Sequence, residues 1–344
     1  MKARLGDVCT VVSGSTPKST VPEYWDGDIK WITPAELSND TYIINDSARH
    51  ITALGVAKTG LKSFPAGTVI LSSRAPIGKT AIAGCEMFCN QGFKNLICSE
   101  KIDSKYLYYF LSGKTDYLNS LGRGATFKEI SKAIVENIEI PLPEVEEQKR
   151  IAARFERLLR LIQLQKAELE ELDKLVKSRF IELFGDPIKN TQHRPTTAFV
   201  NVVTMQRGFD LPVQDRKQSG NIPVYGSNGV LDHHNQAKVC NGGVITGRSG
   251  TIGKVFYTKG AYWPLNTTLF SVDTHENNII YLAHLVRMFN LDRFTEGTGV
   301  PTLNRNKFHS APIIDVPIDE QNQFAAFVEQ TDKSKLCGKM EVAA

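Results

Sequence analysis

The chain has 344 residues, more than a single domain usually contains, so its length predicts two domains. Hydrophobic residues make up 41% and charged residues 23%, which is typical of an ordinary globular protein, and a net charge of +4 does not by itself indicate a polyanion partner. The sequence has no apolar run typical of a signal peptide or membrane span, and its six scattered cysteines do not suggest a disulfide scaffold. We therefore expect a reduced, cytoplasmic protein.

The first part of the chain reads as short strands, then a helix, then an extended segment. Apolar runs bounded by Gly, Ser or Asn predict the strands, and they include "WITPAELS", "TVILSS" and "TAIAGC". Aliphatic and aromatic residues clustered on one face predict a single amphipathic helix over residues 103–121. The segment "ENIEIPLP" predicts a return to extended structure.

The stretch "SSRAPIGKT" ends like a phosphate-binding loop, but it lacks other parts of that motif. A Walker loop needs a glycine five residues before Gly78, where this chain has Ser73. Pro76 also lacks an amide that a phosphate cradle would use. We therefore interpret the stretch as a tight turn that Gly78 permits, with Arg74 and Lys79 on either side of it.

Residues 144–185 predict one long helix. Acidic residues at its start and Gly185 with Pro187 at its end are typical helix boundaries. About 40 residues at ~1.5 Å each would give a rod of roughly 60 Å. Alternating spacings of four and three predict a coiled-coil seam with one polar position. Its members are Ile151, Phe155, Leu158, Ile162, Gln165, Leu169, Leu172 and Val176.

The second half of the chain repeats the order of elements. "VITGR", "KVFYT" and "TLFSV" predict strands, residues 276–290 predict a helix, and "APIIDVPI" predicts an extended segment. After Pro317 we expect a helix of about 20 residues whose Phe324 and Val328 face the central seam. The closing "KSKLCGKMEVAA" has no heptad, so the seam of the central helix would need a further cover.

These parallels indicate a duplicated domain. Ile77-Gly78-Lys79 matches Ile252-Gly253-Lys254 at an offset of 175, and we pair Arg74 with Arg248 beside it. Further pairs in the same order support one duplication over the whole chain. They are Tyr106-Leu107 with Tyr281-Leu282, Gly122 and Gly124 with Gly297 and Gly299, Lys132 with Lys307, and Glu147-Gln148 with Glu320-Gln321.

Templates for catalysis and metal binding find no match. "DGDIK" (26–30) has the Asp-x-Lys pair of some nucleases, but the second copy lacks it, so Asp26 is interpreted as part of a turn. The pair His233-His234 has polar neighbours and is interpreted as a polar loop. Cys85 and Cys89 have no second ligand pair with zinc spacing. We therefore predict no catalytic residue and no metal site.

Cationic and amide side chains recur instead in Gly-rich loops of both copies. Arg and Lys suit guanine edges and phosphates, and Asn and Gln suit adenine edges. Taken singly, such loops also fit solvated turns. The candidate DNA contacts in the first copy are Arg74, Lys79, Asn90, Gln91, Lys94, Arg123, Lys128 and Lys132. Those in the second copy are Tyr225, Ser227, Asn228, Arg248, Lys254, Asn266, Asn304, Arg305 and Lys307.

In this order the motifs resemble the specificity (S) subunits of type I DNA restriction–modification enzymes. The resemblance covers nearly the whole chain. Its first-copy motifs are "RLGDVCTVVSGSTP", "YWDGDIKWITPAEL", "SSRAPIGK", "NQGFKNL", "GATFKEISK" and "IPLPEVEEQKRIAARF". In the second copy they are "IPVYGSNGV", "TGRSGTIGK", "LNTTLF" and "PTLNRNKF".

The resemblance implies an α+β fold with two β-rich target recognition domains, long coiled-coil helices and pseudo-twofold symmetry. We expect recognition domains at 1–143 and 186–318, a central conserved helix at 144–185 and a short C-terminal helix at 319–344. A rod between two such domains would set a fixed spacing between two half-sites. The family's C-terminal helix usually rivals the central one in length, and the shorter segment here departs from that pattern.

The resemblance also implies a non-catalytic subunit that reads a bipartite, asymmetric DNA target and binds two modification subunits and further restriction subunits. S-adenosylmethionine, ATP and magnesium would belong to those partners. The coiled-coil residues predicted to bind partners are Ile151, Phe155, Leu158, Ile162, Leu169, Leu172, Val176, Phe324 and Val328. An uncovered central seam would also allow self-association. A magnesium-dependent DNA-cleaving enzyme and a coiled-coil protein adaptor are the alternatives.

Overall fold

The computed structural model describes residues 1–343 except 39–40, 75, 125–127, 217–219 and 298–300, and it describes residues 337–343 by their backbone only. The chain divides into two compact units, Met1–Leu161 (unit 1) and Ile162–Ala344 (unit 2). Within the described part of the chain, no helix combines the length and apolar character needed to cross a membrane.

The described residues of unit 1 form ten strands and five short helices. The strands are β1 (Lys2–Arg4), β2 (Cys9–Ser13), β3 (Trp25–Ile32), β4 (Ile43–Ile44), β5 (Arg49–Ile51), β6 (Val69–Ser73), β7 (Ile77–Ala83), β8 (Phe88–Cys89), β9 (Lys94–Cys98) and β10 (Glu139–Pro141). The helices are α1 (Leu5–Val8), α2 (Ala53–Thr59), α3 (Ser104–Ser112), α4 (Thr115–Leu121) and α5 (Lys132–Glu136), with 3₁₀ turns at Pro22–Tyr24 and Pro34–Glu36.

A central five-stranded sheet organises unit 1, in the order β2-β9-β6-β7-β4. Alternating residues of β6 serve two cores, because Val69 and Leu71 pack with the helices, whereas Ile70 packs towards Ile32 and Phe93. The second core joins the main sheet to a small sheet in the order β5-β3-β8, and β1 pairs with β10 at the end of the unit.

A 40-residue helix, α6 (Val145–Phe184), passes from unit 1 into unit 2. Ala152 near its start is buried, and Val176, Phe180 and Phe184 near its end lie in the main core of unit 2. The predicted central helix of 144–185 is therefore present almost residue for residue.

In unit 2, the part of the chain that the structure describes forms eleven strands and four further helices. The strands are β11 (Thr196–Ala198), β12 (Thr204–Arg207), β13 (Ile222–Gly226), β14 (Gly229–His234), β15 (Gly243–Gly247), β16 (Val255–Thr258), β17 (Trp263–Pro264), β18 (Thr268–Asp273), β19 (Thr295–Glu296), β20 (Thr302–Leu303) and β21 (Pro312–Ile314). The helices are α7 (Phe199–Val202), α8 (Ile279–Phe289), α9 (Arg305–His309) and α10 (Ile318–Ala343), with 3₁₀ turns at Val213–Asp215 and Leu291–Phe294.

The two units share most of their topology, which confirms the predicted duplication, and among the described residues they differ by β4 in unit 1 and the β19-β20 pair in unit 2. The order β12-β18-β15-β16 repeats β2-β9-β6-β7, and β14-β13-β17 repeats β5-β3-β8, including its parallel pair. The end pair β11-β21 repeats β1-β10. Each unit therefore builds one β-rich domain on the same plan.

Backbone pairing corrects the residue matches within this repeat. Ser73 and Arg248 are equivalent, since their N–H groups donate to Gly92 and Thr267 and their carbonyls accept from Ile130 and Leu303. Arg74 therefore corresponds to Ser249, and the predicted match of Arg74 with Arg248 is wrong by one residue.

A second correction concerns the end of each unit, where the offset changes from 175 to 173. Lys132 and Arg305 each follow the residue that caps a short helix, Ser131 and Asn304, so the predicted match of Lys132 with Lys307 is wrong by two residues. Gly299, matched with Gly124, and the central residues 125–127 of the predicted loop 124–128 lie outside the described residues.

Four local predictions also differ from the structure. The helix predicted over 103–121 is two helices separated at Gly113, and α10 has 26 residues where about 20 were expected. His234 belongs to β14 and is buried against Trp263 with ring centroids 5.3 Å apart, so it is not part of a polar loop. The sequence predicts Asp26 as part of a turn, but the residue lies in β3, where its φ of 60° marks an irregular part of the strand.

A buried glutamine anchors a helix start in each unit. Gln148, at 0% exposure, accepts from the Asp103 N–H (2.8 Å) and donates to the carbonyls of Lys101 (3.0 Å) and Pro143 (2.8 Å). Gln321 accepts from the Asn278 N–H (2.9 Å) and donates to the Val316 carbonyl (2.8 Å) and to Asn277. Both amides therefore join a helix start to the residue that caps α3 or α8.

We predict that Gln148→Ala lowers the free energy of unfolding of unit 1 by about 2–3 kcal/mol, because the backbone groups of Lys101, Asp103 and Pro143 lose their hydrogen bonds to its amide. Gln321→Ala should do the same in unit 2. Gln163→Ala, at an exposed position of α6, is the matched control and should change stability by less than about 0.5 kcal/mol. Scanning calorimetry of the full chain measures the unfolding temperatures of the three variants. Equal unfolding temperatures for all of them would contradict the anchoring role of Gln148 and Gln321.

Glycines with positive φ follow the connections after β6 and β15. Gly78 and Gly253 have φ values of +97° and +82°, which L side chains rarely adopt. Gly78 lies within β7, so the tight turn predicted at this residue is wrong, whereas Gly253 lies between β15 and β16. A Cβ atom at Gly253 would also lie 2.6 Å from the Asp292 carboxylate, so this connection depends on a residue without a side chain.

Gly253→Ala should lower the free energy of unfolding of unit 2 by about 1–2 kcal/mol, because alanine is strained at positive φ. Gly260→Ala is the control, since its Cβ would have no neighbour within 4 Å and its backbone is not left-handed. Denaturant titration of both variants tests this difference, and a Gly253→Ala protein as stable as the control would refute it.

Candidate nucleic-acid interface

In unit 1, the predicted cations surround the carboxylate of Glu129. Its Oε1 lies 3.1 Å from Lys94 Nζ, and its Oε2 lies 4.0 Å from the Arg74 guanidinium. Arg123 pairs with Glu129 through both backbone hydrogen bonds, and its own side chain is exposed. The sequence analysis missed Glu129, because it considered only cationic and amide side chains and Glu129 belongs to no recognised motif.

Two of the predicted unit 1 contacts point inward. Lys94 has a side chain only 8% exposed, and its ammonium also donates to Ser73 Oγ (3.3 Å). The Lys79 ammonium donates to the carbonyls of Leu37 and Pro34. Both ammonium groups are bonded within unit 1, and Lys94 is buried, whereas Lys79 is half-buried.

The other predicted residues of unit 1 lie at the surface or at its edge. Asn90 is half-buried and accepts from the Gly92 N–H (2.9 Å), which shapes the loop, and the exposed Gln91 accepts from the Thr16 hydroxyl. Lys128 and Lys132 are exposed, and Lys132 lies 3.5 Å from Glu136 on its own helix. The exposed basic side chains of this region are Arg123, Lys128 and Lys132.

In unit 2, several predicted loops gather around a cavity of about 610 Å³. Ser227 and Asn228 line it from the turn between β13 and β14, and Asn266 lines it from the segment before β18. Lys254 donates to Asn228 Oδ1 at 2.5 Å, and Asn266 donates to Asp210. The turns of the two neighbouring hairpins are thus bonded to each other.

Tyr225 does not contribute a surface contact. Its ring is buried, and its centroid lies 5.8 Å from that of Tyr262 in the core of unit 2. Sequence reasoning missed Arg216, which lines the same cavity and forms an ion pair with Asp232 at 3.5 Å, with side chains 13% and 14% exposed. The sequence gives no local signal for this ion pair, because Arg216 follows a 3₁₀ turn and Asp232 lies in β14, 16 residues further along the chain.

A second cavity of unit 2, of about 360 Å³, contains another predicted set. Arg248, Asn304 and Arg305 line it together with Arg207, Thr302 and Asn306. Lys307 is exposed and pairs with Glu296 beside them. Arg207 and Asn306 were missed by the sequence search, although Asn306 lies between two predicted residues.

The predicted seam of α6 is covered only in part. Phe324 lies 5.4 and 5.6 Å from Phe180 and Phe184 between ring centroids, and Val176 and Val328 share that core. Ile151 packs against the core of unit 1, and Ile162, Leu169 and Leu172 are half-buried. Phe155 and Leu158 are 46% and 47% exposed, and so are the unpredicted neighbours Leu159 (45%) and Leu161 (57%).

The nuclease-like "DGDIK" segment shows no assembled centre. The Lys30 ammonium donates to the Asn45 carbonyl (2.6 Å) and lies 4.0 Å from Asp46, so it is engaged by a neighbouring loop. Among the described residues, no group of three or more His, Cys, Asp or Glu side chains has an arrangement that could hold a metal ion.

Comparison with known proteins gives matches for both units. The model of the type I restriction modification DNA specificity domain matches residues 1–174 and 201–338. The MjaIX specificity subunit of Methanocaldococcus jannaschii is 41% identical over 194 residues, which are 55% of this chain and 45% of that protein. The EcoprrI specificity subunit of Escherichia coli is 21% identical over 350 residues, which cover 95% of this chain and 86% of that one.

The match to the putative MjaX specificity subunit of M. jannaschii covers 26% of that protein, so the chain matches less than half the length of either M. jannaschii relative.

Solved structures share the fold over the whole chain. The S subunit of a type I restriction–modification system from M. genitalium has a TM-score of 0.60 at 16% identity, covering 100% of this chain and 92% of that one. A structure described under the assembly and conformational transition of the type I system has a TM-score of 0.64 at 17% identity, with the same coverage.

With two family matches that cover most of the chain and coincide with two units of one topology, the chain belongs to the type I restriction–modification DNA specificity domain family and carries that domain twice.

Proposed function

We propose that the chain is a sequence-specific DNA recognition subunit of a type I restriction–modification complex, and that its two units read the two halves of an asymmetric, bipartite target. The observation that carries this proposal is a common backbone with different polar side chains at equivalent positions. Arg248 of unit 2 stands where unit 1 has Ser73, and Thr302 stands where unit 1 has Glu129. Side chains of such different chemistry favour different base sequences.

The proposal extends to protein partners. Phe155, Leu158, Leu159 and Leu161 leave apolar side chains exposed along α6, and a helix with such a face is stabilised when another chain covers it. We propose modification subunits as that cover, with restriction subunits joining the assembly. S-adenosylmethionine, ATP and magnesium would then be held by those partners, and this chain would contribute no catalytic group. A chromosomal target would place the complex in the cytoplasm.

Sequencing of methylated positions tests the function directly. The chain is co-expressed with its modification subunit in a host without other methyltransferases, and the modified positions of the host genome are mapped. The proposal expects one bipartite motif with two different halves and a fixed spacer. Gel shifts with that duplex and a scrambled one should then differ in affinity, and equal affinities would overturn DNA recognition. Magnesium-dependent cleavage by the purified chain alone would instead favour the nuclease alternative.

Replacing Arg74 and Arg248 together with alanine should weaken binding of the target duplex about tenfold, because charge-assisted hydrogen bonds to DNA are lost. The slope of log K against log salt should become less steep by about 0.9 for each phosphate contact removed. Assembly with the modification subunit, measured by size-exclusion chromatography, should be unchanged. Unchanged DNA affinity and salt dependence at normal assembly would favour the protein-adaptor alternative.

A further inference from the structure

Three arginines of unit 2 converge on one polar cavity. Arg207 ends β12, Arg248 follows β15, and Arg305 begins α9, and all three line the notch of about 360 Å³. The side chains of Thr302, Asn304 and Asn306 complete its polar lining. We call this cavity the arginine notch.

The positive charge of the arginine notch is mostly uncompensated. Glu296 is the one acidic residue among the described residues that line it, and Lys307 already pairs with that carboxylate. Arg207 lies 3.8 Å from Asp210, but these side chains are 54% and 71% exposed, and such surface pairs contribute little. An anion entering the notch would therefore meet a net positive site.

The guanidinium groups of the notch have few protein partners. Within the described part of the chain, Arg248 makes no side-chain hydrogen bond or ion pair, and Arg305 makes one long bond of 3.4 Å to the Met205 carbonyl. Arg248 is half-buried, and its backbone is fixed on both sides by 2.8 Å bonds to Thr267 and Leu303. A half-buried cation on a fixed backbone is preorganised for an external acceptor.

The equivalent place in unit 1 differs in which charges it carries. Ser73 replaces Arg248, and Glu129, which corresponds to Thr302, pairs with Lys94 at 3.1 Å and faces Arg74 at 4.0 Å. Strand pairing places Lys94 where unit 2 has Leu269, and Ser13 where it has Arg207. Of the three arginines only Arg305 has a cationic counterpart, the exposed Lys132. The same backbone site therefore has a carboxylate paired with a buried lysine in unit 1 and a cluster of three arginines in unit 2.

We propose that the arginine notch of unit 2 binds one phosphodiester group of the DNA backbone, and that unit 1 has no counterpart of this contact. The inference rests on the proposed DNA recognition and assigns a phosphate-positioning site within it. Guanidinium groups form paired hydrogen bonds to phosphate oxygens, and amide and hydroxyl side chains add neutral donors. Several cations around one small concave site suit a compact anion better than a single base edge, which one arginine can read.

Neutral backbone substitutions test the site one phosphate at a time. The complex of the full chain with its modification subunit is titrated with target duplexes that each carry one methylphosphonate in place of a phosphodiester. For the wild type, one position in the half-site of unit 2 should lower affinity about tenfold. In the Arg248→Ala complex, a methylphosphonate at that position should no longer lower the affinity, whereas the other positions should keep their effects. The slope of log K against log salt should become less steep by about 0.9.

Arg179→Ala is the matched control, because Arg179 already pairs with Glu182 on α6 at 2.9 Å and does not line the arginine notch. It should leave the salt slope and every methylphosphonate effect as in the wild type. Arg248→Gln repeats the test if alanine lowers the unfolding temperature. The site is refuted if Arg248→Ala keeps the full sensitivity at every position, or if it changes the preferred base in the half-site. A wild-type complex without preference for a bipartite target would instead refute the proposed function, whatever the variants do.

Discussion

The buried side-chain amide of one glutamine ties a helix to the domain in each unit. Gln148 and Gln321 lie in the first turns of α6 and α10, and each accepts from the N–H of the residue that caps α3 or α8. A primary amide can donate and accept at once, and inside a protein each unmade bond costs about 1–3 kcal/mol. An apolar side chain of similar size could fill the space but would leave those backbone groups unsatisfied. The buried glutamine thereby fixes the direction in which each helix leaves its own domain. Ala152 on α6 and Phe324 and Ala325 on α10 are buried further along these helices.

Above this common frame, the units differ most where their polar side chains are exposed. The strands of the two main sheets keep the same order, and even the parallel pair of the small sheets is repeated. At the ends of those strands, however, Ser73 is exchanged for Arg248, Glu129 for Thr302 and Arg123 for Glu296. Burial constrains the strands because their side chains pack on both faces, whereas the strand ends are constrained only by backbone hydrogen bonds. The fold can therefore stay constant while the chemistry of its surface changes.

The sequence was sufficient to predict the duplication, the central helix and several of the main strands, because these leave periodic or repeated signals. It was insufficient where residues of the same type occupy different structural positions in the two units. Arg74 and Arg248 are both arginines in similar motifs, yet the constant offset of 175 across the turn makes Ser73 the equivalent of Arg248. Burial was equally invisible. Lys94 and Tyr225 occur in polar, Gly-rich segments that suggested surface loops, but strand pairing turns both inward. Glu129 and Arg216 had no motif, since their significance comes from partners distant in sequence.

The differences between the units follow a rule of internal charge balance. Lys94 is too deeply buried to remain unpaired, so a unit that carries it also needs Glu129, and the two charges compensate each other. Unit 2 has Leu269 and Thr302 at these two positions, which removes the buried cation and its acid together. Only then is there a place for Arg248 beside a neutral hydroxyl, where its charge is available to an outside ligand. Losing Glu129 alone would leave the buried Lys94 ammonium unpaired, and losing Lys94 alone would leave the Glu129 carboxylate without its buried partner. The binding character of such a unit is thus set by groups of residues that must change together, and single exposed side chains are only the visible part of each group.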